Sequence, residues 1–144
     1  MTRKRRTRIL VLGDPSLRKS LADEVRALVP VEEILAPRVG LVLATVRESA
    51  RCTLFHLGEV LVSEAKVRVE GVPGLGLIQG RDLDAAGDLA VVDAAWNAHL
   101  ACTVGWPARL GAAEATLEAA LDREQASFSS TRVEFETLDQ GKSL

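Results

Sequence analysis

From residue 60 to residue 70 the chain alternates apolar and charged side chains. Leu61, Ala65, Val67 and Val69 fall on one side, and Glu64, Lys66, Arg68 and Glu70 on the other. A period of two sets one face against a core and the other in water, as in a half-exposed strand of an antiparallel sheet. Residues 71–74 (Gly-Val-Pro-Gly) carry turn chemistry, and residues 75–79 supply a further extended run. The two runs are expected to pair as a hairpin.

The remaining pattern adds helices to that sheet. Asp14 is a plausible N-cap with Pro15 at the first helical position. Leu17, Leu21, Val25 and Leu28 then recur on one face, which predicts an amphipathic helix over residues 15–29. Residues 8–12 fit either a strand or a preceding helix. Residues 39–46 are short and rich in β-branched and aliphatic side chains, and are expected as a buried strand. Asp82 can cap a helix over about residues 83–104, Pro107 and Gly111 suggest a loop, and an Ala-rich helix is expected over residues 112–127. Leu117 and Leu121 would form the buried side of that helix. Residues 132–138 alternate Val133, Phe135 and Thr137 against Arg132, Glu134 and Glu136, a final strand. The order fits one α+β domain over residues 1–144, a mostly antiparallel sheet packed by helices, better than repeated βαβ units.

The length, 144 residues, suits one domain with a real core. Aromatics are 3% of the chain, so Leu, Val and Ala must build that core. A net charge of −2 argues against a dedicated nucleic-acid binder. Basic charge gathers in Arg3, Lys4, Arg5, Arg6 and Arg8, a run that reads as a solvated arm over about residues 1–8. Cys52 and Cys102 form no CxxC pair, so neither a disulfide framework nor a cysteine zinc site is expected. No run approaches about 18 apolar residues and no long apolar leader follows the basic start. Neither membrane insertion nor secretion is supported, and the expected location is the cytoplasm.

The short motifs carry little chemistry alone. Residues 13–20, GDPSLRKS, approach a phosphate-binding loop. Arg18 stands where that loop needs glycine, and Pro15 has no N–H to donate, so a capped helix start is the better reading. Gly74, Gly76 and Gly80 are too few and wrongly spaced for a dinucleotide fingerprint. They suit a turn and a close contact on the sheet. His56 and His99 lie on different elements, and no metal site is expected. Asp93 falls on the helical face of Ala86, Leu89 and Leu100, opposite Asp84 and Asp88. If those two acids face water, Asp93 faces the protein and needs a partner. Arg81 and Arg132 are the candidates, and a structural ion pair is favoured over direct catalysis. Arg81, beside Gln79 and Asp82 at a strand-to-helix junction, could also receive phosphate. Glu59 could be a general base or a partner contact.

Taken together, these segments are similar to one family. Phe55-His56-Leu57-Gly58-Glu59, Gly80-Arg81-Asp82, Asp93-Ala94 and Thr131-Arg132-Val133-Glu134-Phe135 resemble, in order and spacing, the G subunit of the bacterial carbon–phosphorus lyase core complex, the PhnG family. The segment from Ile34 to Ser49 also resembles the family's strand entry. His56 stands where asparagine is more usual. The acidic tail, with Glu136 and Asp139-Gln140, departs from the family's aromatic and basic residues.

The resemblance implies a non-autonomous subunit of a transferase. With the H, I and L subunits it would act in the synthesis of α-D-ribose 1-methylphosphonate 5-triphosphate from ATP and methylphosphonate. H, I and J would be its core partners. The complex would take ATP and methylphosphonate as substrates, and this chain alone would bind no cofactor. The alternative is a purely structural subunit. Leu57, Val60 and Val62 are expected near a partner surface that could also support self-association. Glu59, Gln79, Arg81, Asp93 and Arg132 are the candidate functional or partner-contact residues.

Overall fold

The computed structural model describes residues 1–49 and 51–129. Helices α1 (Arg3–Leu12) and α2 (Pro15–Leu28) precede strands β1 (Val31–Arg47), β2 (Leu54–Val69) and β3 (Val72–Gln79). Helix α3 (Leu83–Asn97), a 3₁₀ turn (Ala101–Gly105) and helix α4 (Trp106–Ser129) follow. The strands form an antiparallel sheet in the order β1-β2-β3. The α+β expectation therefore holds. The strand expected over residues 132–138, with Arg132, lies outside the described residues.

The alternation in β2 is real, and Ala65, Val67 and Val69 are buried. The hairpin turn is tighter than expected. Val69 pairs with Val72, leaving Glu70 and Gly71 as a two-residue loop with φ of 48° and 78°. Positive φ at both positions matches the twist of the strands, so Pro73 and Gly74 belong to β3 rather than to the turn.

Helix α3 lies across one face of the sheet. Ten of its side chains are buried, because the sheet takes one side and α1 and α2 supply Ile9, Leu10, Leu21 and Val25 on the other. A helix apolar nearly all round requires such a sandwiched position. The contact with β3 is close because of two glycines. A Cβ at Gly76 would stand 1.9 Å from the Ala86 carbonyl oxygen, and one at Gly74 would stand 2.3 Å from that of Ala90.

Four expectations need correction. The basic run is a helix rather than a solvated arm: Thr2 caps α1, and Arg6, Ile9 and Leu10 are buried on one face. The run over residues 39–46 is the exposed part of a longer strand, with Leu41 60% and Leu43 51% accessible. Helix α3 stops at Asn97, where His99 takes φ 53°. His99 N–H then donates to the Trp96 carbonyl and Leu100 N–H to that of Ala95, a left-handed C-terminal cap without glycine. Finally, Pro107 is inside α4. At the second helical position its missing N–H is one of the donors a helix start leaves unpaired. Leu117 is buried as expected, whereas Leu121 is 37% exposed.

The glycine contact gives a direct prediction. Gly76→Ala should lower the unfolding free energy by about 2–3 kcal/mol through overpacking. Gly40→Ala, with nothing within 4 Å of the added Cβ, should change it far less. Denaturant titration of both variants checks the contrast.

Candidate functional site

Asp93 is buried, 4% accessible, and its partners come from three directions. Arg3 donates through Nε to Oδ1 at 3.1 Å and through Nη2 to Oδ2 at 2.7 Å. Arg6 donates to Oδ1 at 2.7 Å. The Leu75 N–H on β3 donates to Oδ2 at 3.2 Å, and Asn97 Nδ2 to the same oxygen at 3.4 Å. The inward orientation read from the helical wheel is correct, but the partners are Arg3 and Arg6 rather than Arg81. Arg132 lies outside the described residues. Asp88, expected to face water, is itself buried and pairs with Arg26 at 2.7 Å.

Arg6 is nearly as enclosed, 3% accessible, and its guanidinium lies 4.7 Å from the Trp96 ring centroid. Burial pulls its pKa below the ordinary arginine range, and the hydrogen bond it donates to Asp93 opposes that shift. Trp96 in turn meets Trp106, with ring centroids 6.0 Å apart. The carboxylate and its arginines thus tie α1 and β3 to α3. Every strong acceptor site of Asp93 is engaged, so the group is an electrostatic tether and not a free general base.

A second polar centre builds the junction after β3. Ser63 is fully buried in β2; its Oγ donates to the Gly80 carbonyl and accepts the Asp82 N–H, both at 2.9 Å. Asp82 Oδ1 accepts from the Ala85 N–H at 2.9 Å and caps α3 as expected. Arg81 sits between these fixed points, exposed, with no hydrogen-bond or ionic partner among the described residues. It pairs with neither Asp82 nor Asp93. Gln79 is exposed at the end of β3. Glu59 is exposed on β2, opposite Leu43.

Topology therefore brings Gln79, Arg81 and Glu59 toward one end of the sheet and leaves Asp93 away from them. Leu75, which touches Asp93, precedes Gln79 by four strand residues, roughly 13 Å of extended chain. Sequence reasoning missed Ser63 and the Asp93 partners. Ser63 was detectable as the one hydroxyl on the apolar side of the β2 alternation. Arg3 and Arg6, spaced by three, share the helical stripe that continues to Leu10.

Among the described residues no three His, Cys, Asp or Glu side chains gather to hold a metal, and no helix is long and apolar enough to cross a membrane. Arg18, the misfit in the phosphate-loop spacing, is buried and donates to the Leu10 carbonyl at 2.8 Å, closing the end of α1. Asp14 accepts from the Ser16 N–H at 2.8 Å, as a helix cap should. A groove of about 830 Å³ between α2, β1 and α3 is lined by Lys19, Arg26, Glu33, Asp84 and Asp88 among others, but by none of the candidate residues among those described.

The described residues thus define an α+β domain whose buried charges serve as tethers and whose remaining candidates stand on the surface. The chain belongs to the PhnG family: the family's sequence profile, described as phosphonate metabolism protein PhnG, matches residues 1–141. Comparison with curated proteins gave no match. Membership assigns a role in phosphonate metabolism and implies a subunit of the multi-subunit phosphonate C–P lyase system.

Two predictions follow from the charge clusters. Asp93→Asn leaves Arg6 buried without its counter-ion and should cost about 3–5 kcal/mol of stability. Arg81→Ala should stay within about 0.5 kcal/mol; equilibrium unfolding of both reads the difference. Separately, the hydrogen bond from Arg5 holds the Glu114 carboxyl below the usual carboxylate range. A depressed folded pKa contributes stability that is fully present above the unfolded value and fades as pH falls through the folded one. Glu114→Gln should therefore flatten the acid limb of the stability–pH curve, measured by denaturation from pH 6 to about pH 3.

Proposed function

We propose that the chain is an accessory subunit of the carbon–phosphorus lyase core complex. It would act in the cytoplasm with the H, I, J and L subunits. In the reaction proposed, a methylphosphonate oxygen bonds to the ribose C1′ of ATP as the bond to adenine breaks. Adenine leaves, and α-D-ribose 1-methylphosphonate 5-triphosphate forms. ATP and methylphosphonate are substrates of the complex, and this chain brings no cofactor of its own.

The observation that carries an accessory role is the fate of Asp93. This carboxylate, for which the sequence favoured a structural ion pair over direct catalysis, is consumed by two arginines and a backbone N–H. Of the candidate residues, Arg81 is an exposed cation without a partner among the described residues, and the backbone on either side of it is fixed at the start of α3 by the Ser63 and Asp82 hydrogen bonds. An exposed guanidinium beside a helix N-terminus suits an anionic phosphonate or phosphate group presented by a neighbouring subunit. It contributes binding or orientation and supplies neither nucleophile nor base.

The alternative, a purely structural subunit, draws on the exposed apolar side chains of residues 41–57. Arg81→Ala separates the two readings. If Arg81 contacts substrate, the variant assembles with the H, I and J subunits as wild type does, while methylphosphonate-dependent adenine release falls by about 10²-fold. Unchanged turnover in a normally assembled complex would reject the contact and leave the structural role.

A further inference from the structure

One face of β2 reads Leu61, Ser63, Ala65, Val67 and Val69, and Ser63 is the one polar side chain in that row. It is fully buried. A hydroxyl away from water is costly unless it is hydrogen-bonded, so its partners define its task. Strand β3 ends one residue after Ile78, the ladder partner of Ser63, and Gly80 turns the chain out of the sheet with φ 90°. The Gly80 N–H still donates to the Leu61 carbonyl at 2.8 Å, and the Gly80 carbonyl accepts from Ser63 Oγ at 2.9 Å. On the other side of Arg81, Asp82 commits its carboxylate to the Ala85 N–H and its carbonyl to the Ala86 N–H. Its own N–H lies ahead of the helix and donates to the same Ser63 Oγ at 2.9 Å. A hydroxyl offers one donor and two acceptor lone pairs, so a single serine serves both groups.

Only Arg81 lies between these two bonds. One buried hydroxyl therefore holds the peptide groups before and after a residue that is itself exposed and has no partner among the described residues. A residue has two soft backbone dihedrals, and here both flanking ends are anchored to β2. The point from which the Arg81 side chain leaves the backbone is thereby set relative to the sheet. The tip of that side chain is left for a bound anion to fix.

We infer that Ser63 is a positioning residue for Arg81: its hydroxyl fixes the origin from which the guanidinium reaches a phosphonate or phosphate group. The inference rests on the substrate contact proposed above for Arg81. Misplacing a substrate-positioning group by about 1 Å costs up to about 10²-fold in rate, so loss of the anchor reaches turnover. A serine with a purely structural role changes folding or assembly and leaves the turnover of assembled complex alone.

A double-mutant cycle separates the two roles. Ser63→Ala, Arg81→Ala and the double variant are each assembled with the H, I and J subunits. Methylphosphonate-dependent adenine release is then measured per assembled complex with the L subunit present. Ser63→Ala should lower release about ten-fold when Arg81 is intact. It should lower release by about two-fold or less when Arg81 is already replaced. Val69→Ala, which opens buried space on the same face at the far end of β2, should leave release per complex unchanged. Full release by Ser63→Ala, with Arg81→Ala impaired, overturns the positioning role and leaves the Arg81 contact standing. An equal loss in both backgrounds, or the same loss in Val69→Ala, makes Ser63 structural and also overturns it. Full release by Arg81→Ala rejects the substrate contact and the inference with it. Should Ser63→Ala fail to assemble, Ser63→Cys, close in size and weaker in hydrogen bonding, carries the same cycle with the same criteria.

Discussion

The Asp93 carboxylate is where three elements of this fold meet. It stands on the central helix, accepts from Arg3 and Arg6 of the first helix, and accepts the Leu75 N–H of the last described strand. An ionised carboxylate away from water is costly unless its oxygens are filled, and here they are. The satisfied cluster sets the approach of α1 and fixes α3 against β3. At that contact Gly74 and Gly76 leave room for helix backbone. Ser63 performs a neutral version of the same task, joining β2 to the strand-to-helix junction through two hydrogen bonds. The buried polar groups of Asp93 and Ser63 are thus structural, and Arg81 stays outside, exposed and without a partner among the described residues.

Local signals in the sequence were legible where local physics decides the outcome. The alternation of β2, the Asp14 and Asp82 caps and the α+β class all follow from neighbours within a few residues. The failures have equally physical causes. β1 is longer than its alternation suggests because register shifts between Glu33 and Leu35, and between Leu35 and Arg38, break the period of two around Pro37. His99 ends α3 in a conformation usually given to glycine, so no composition signal marked the stop. Pro107 looked like a terminator and is a first-turn residue.

The candidate site was legible only in part. That Asp93 faces inward followed from the helical wheel. Its partners lie about ninety positions away in sequence, and no local rule selects Arg3 and Arg6 over Arg81. The solvated-arm reading of the basic run failed for the same reason: a charge cluster is a surface feature until a distant acid claims it. Arg81 was rightly placed at a strand-to-helix junction, whereas Glu59 lies inside β2, and their spatial relation to each other depends on where β3 ends, which only the register reveals.

Among the described residues, the unpaired guanidinium of Arg81 and the exposed apolar side chains of β1 and β2, such as Leu41, Leu43, Leu54 and Phe55, lie toward the same end of the sheet. The most direct test is phosphorus NMR of the products formed from ATP and methylphosphonate by the H, I and L subunits, with and without this chain. The account predicts a ribose-linked methylphosphonate signal only when the chain is present. The same signal without the chain, or adenine release by the chain alone, would contradict it.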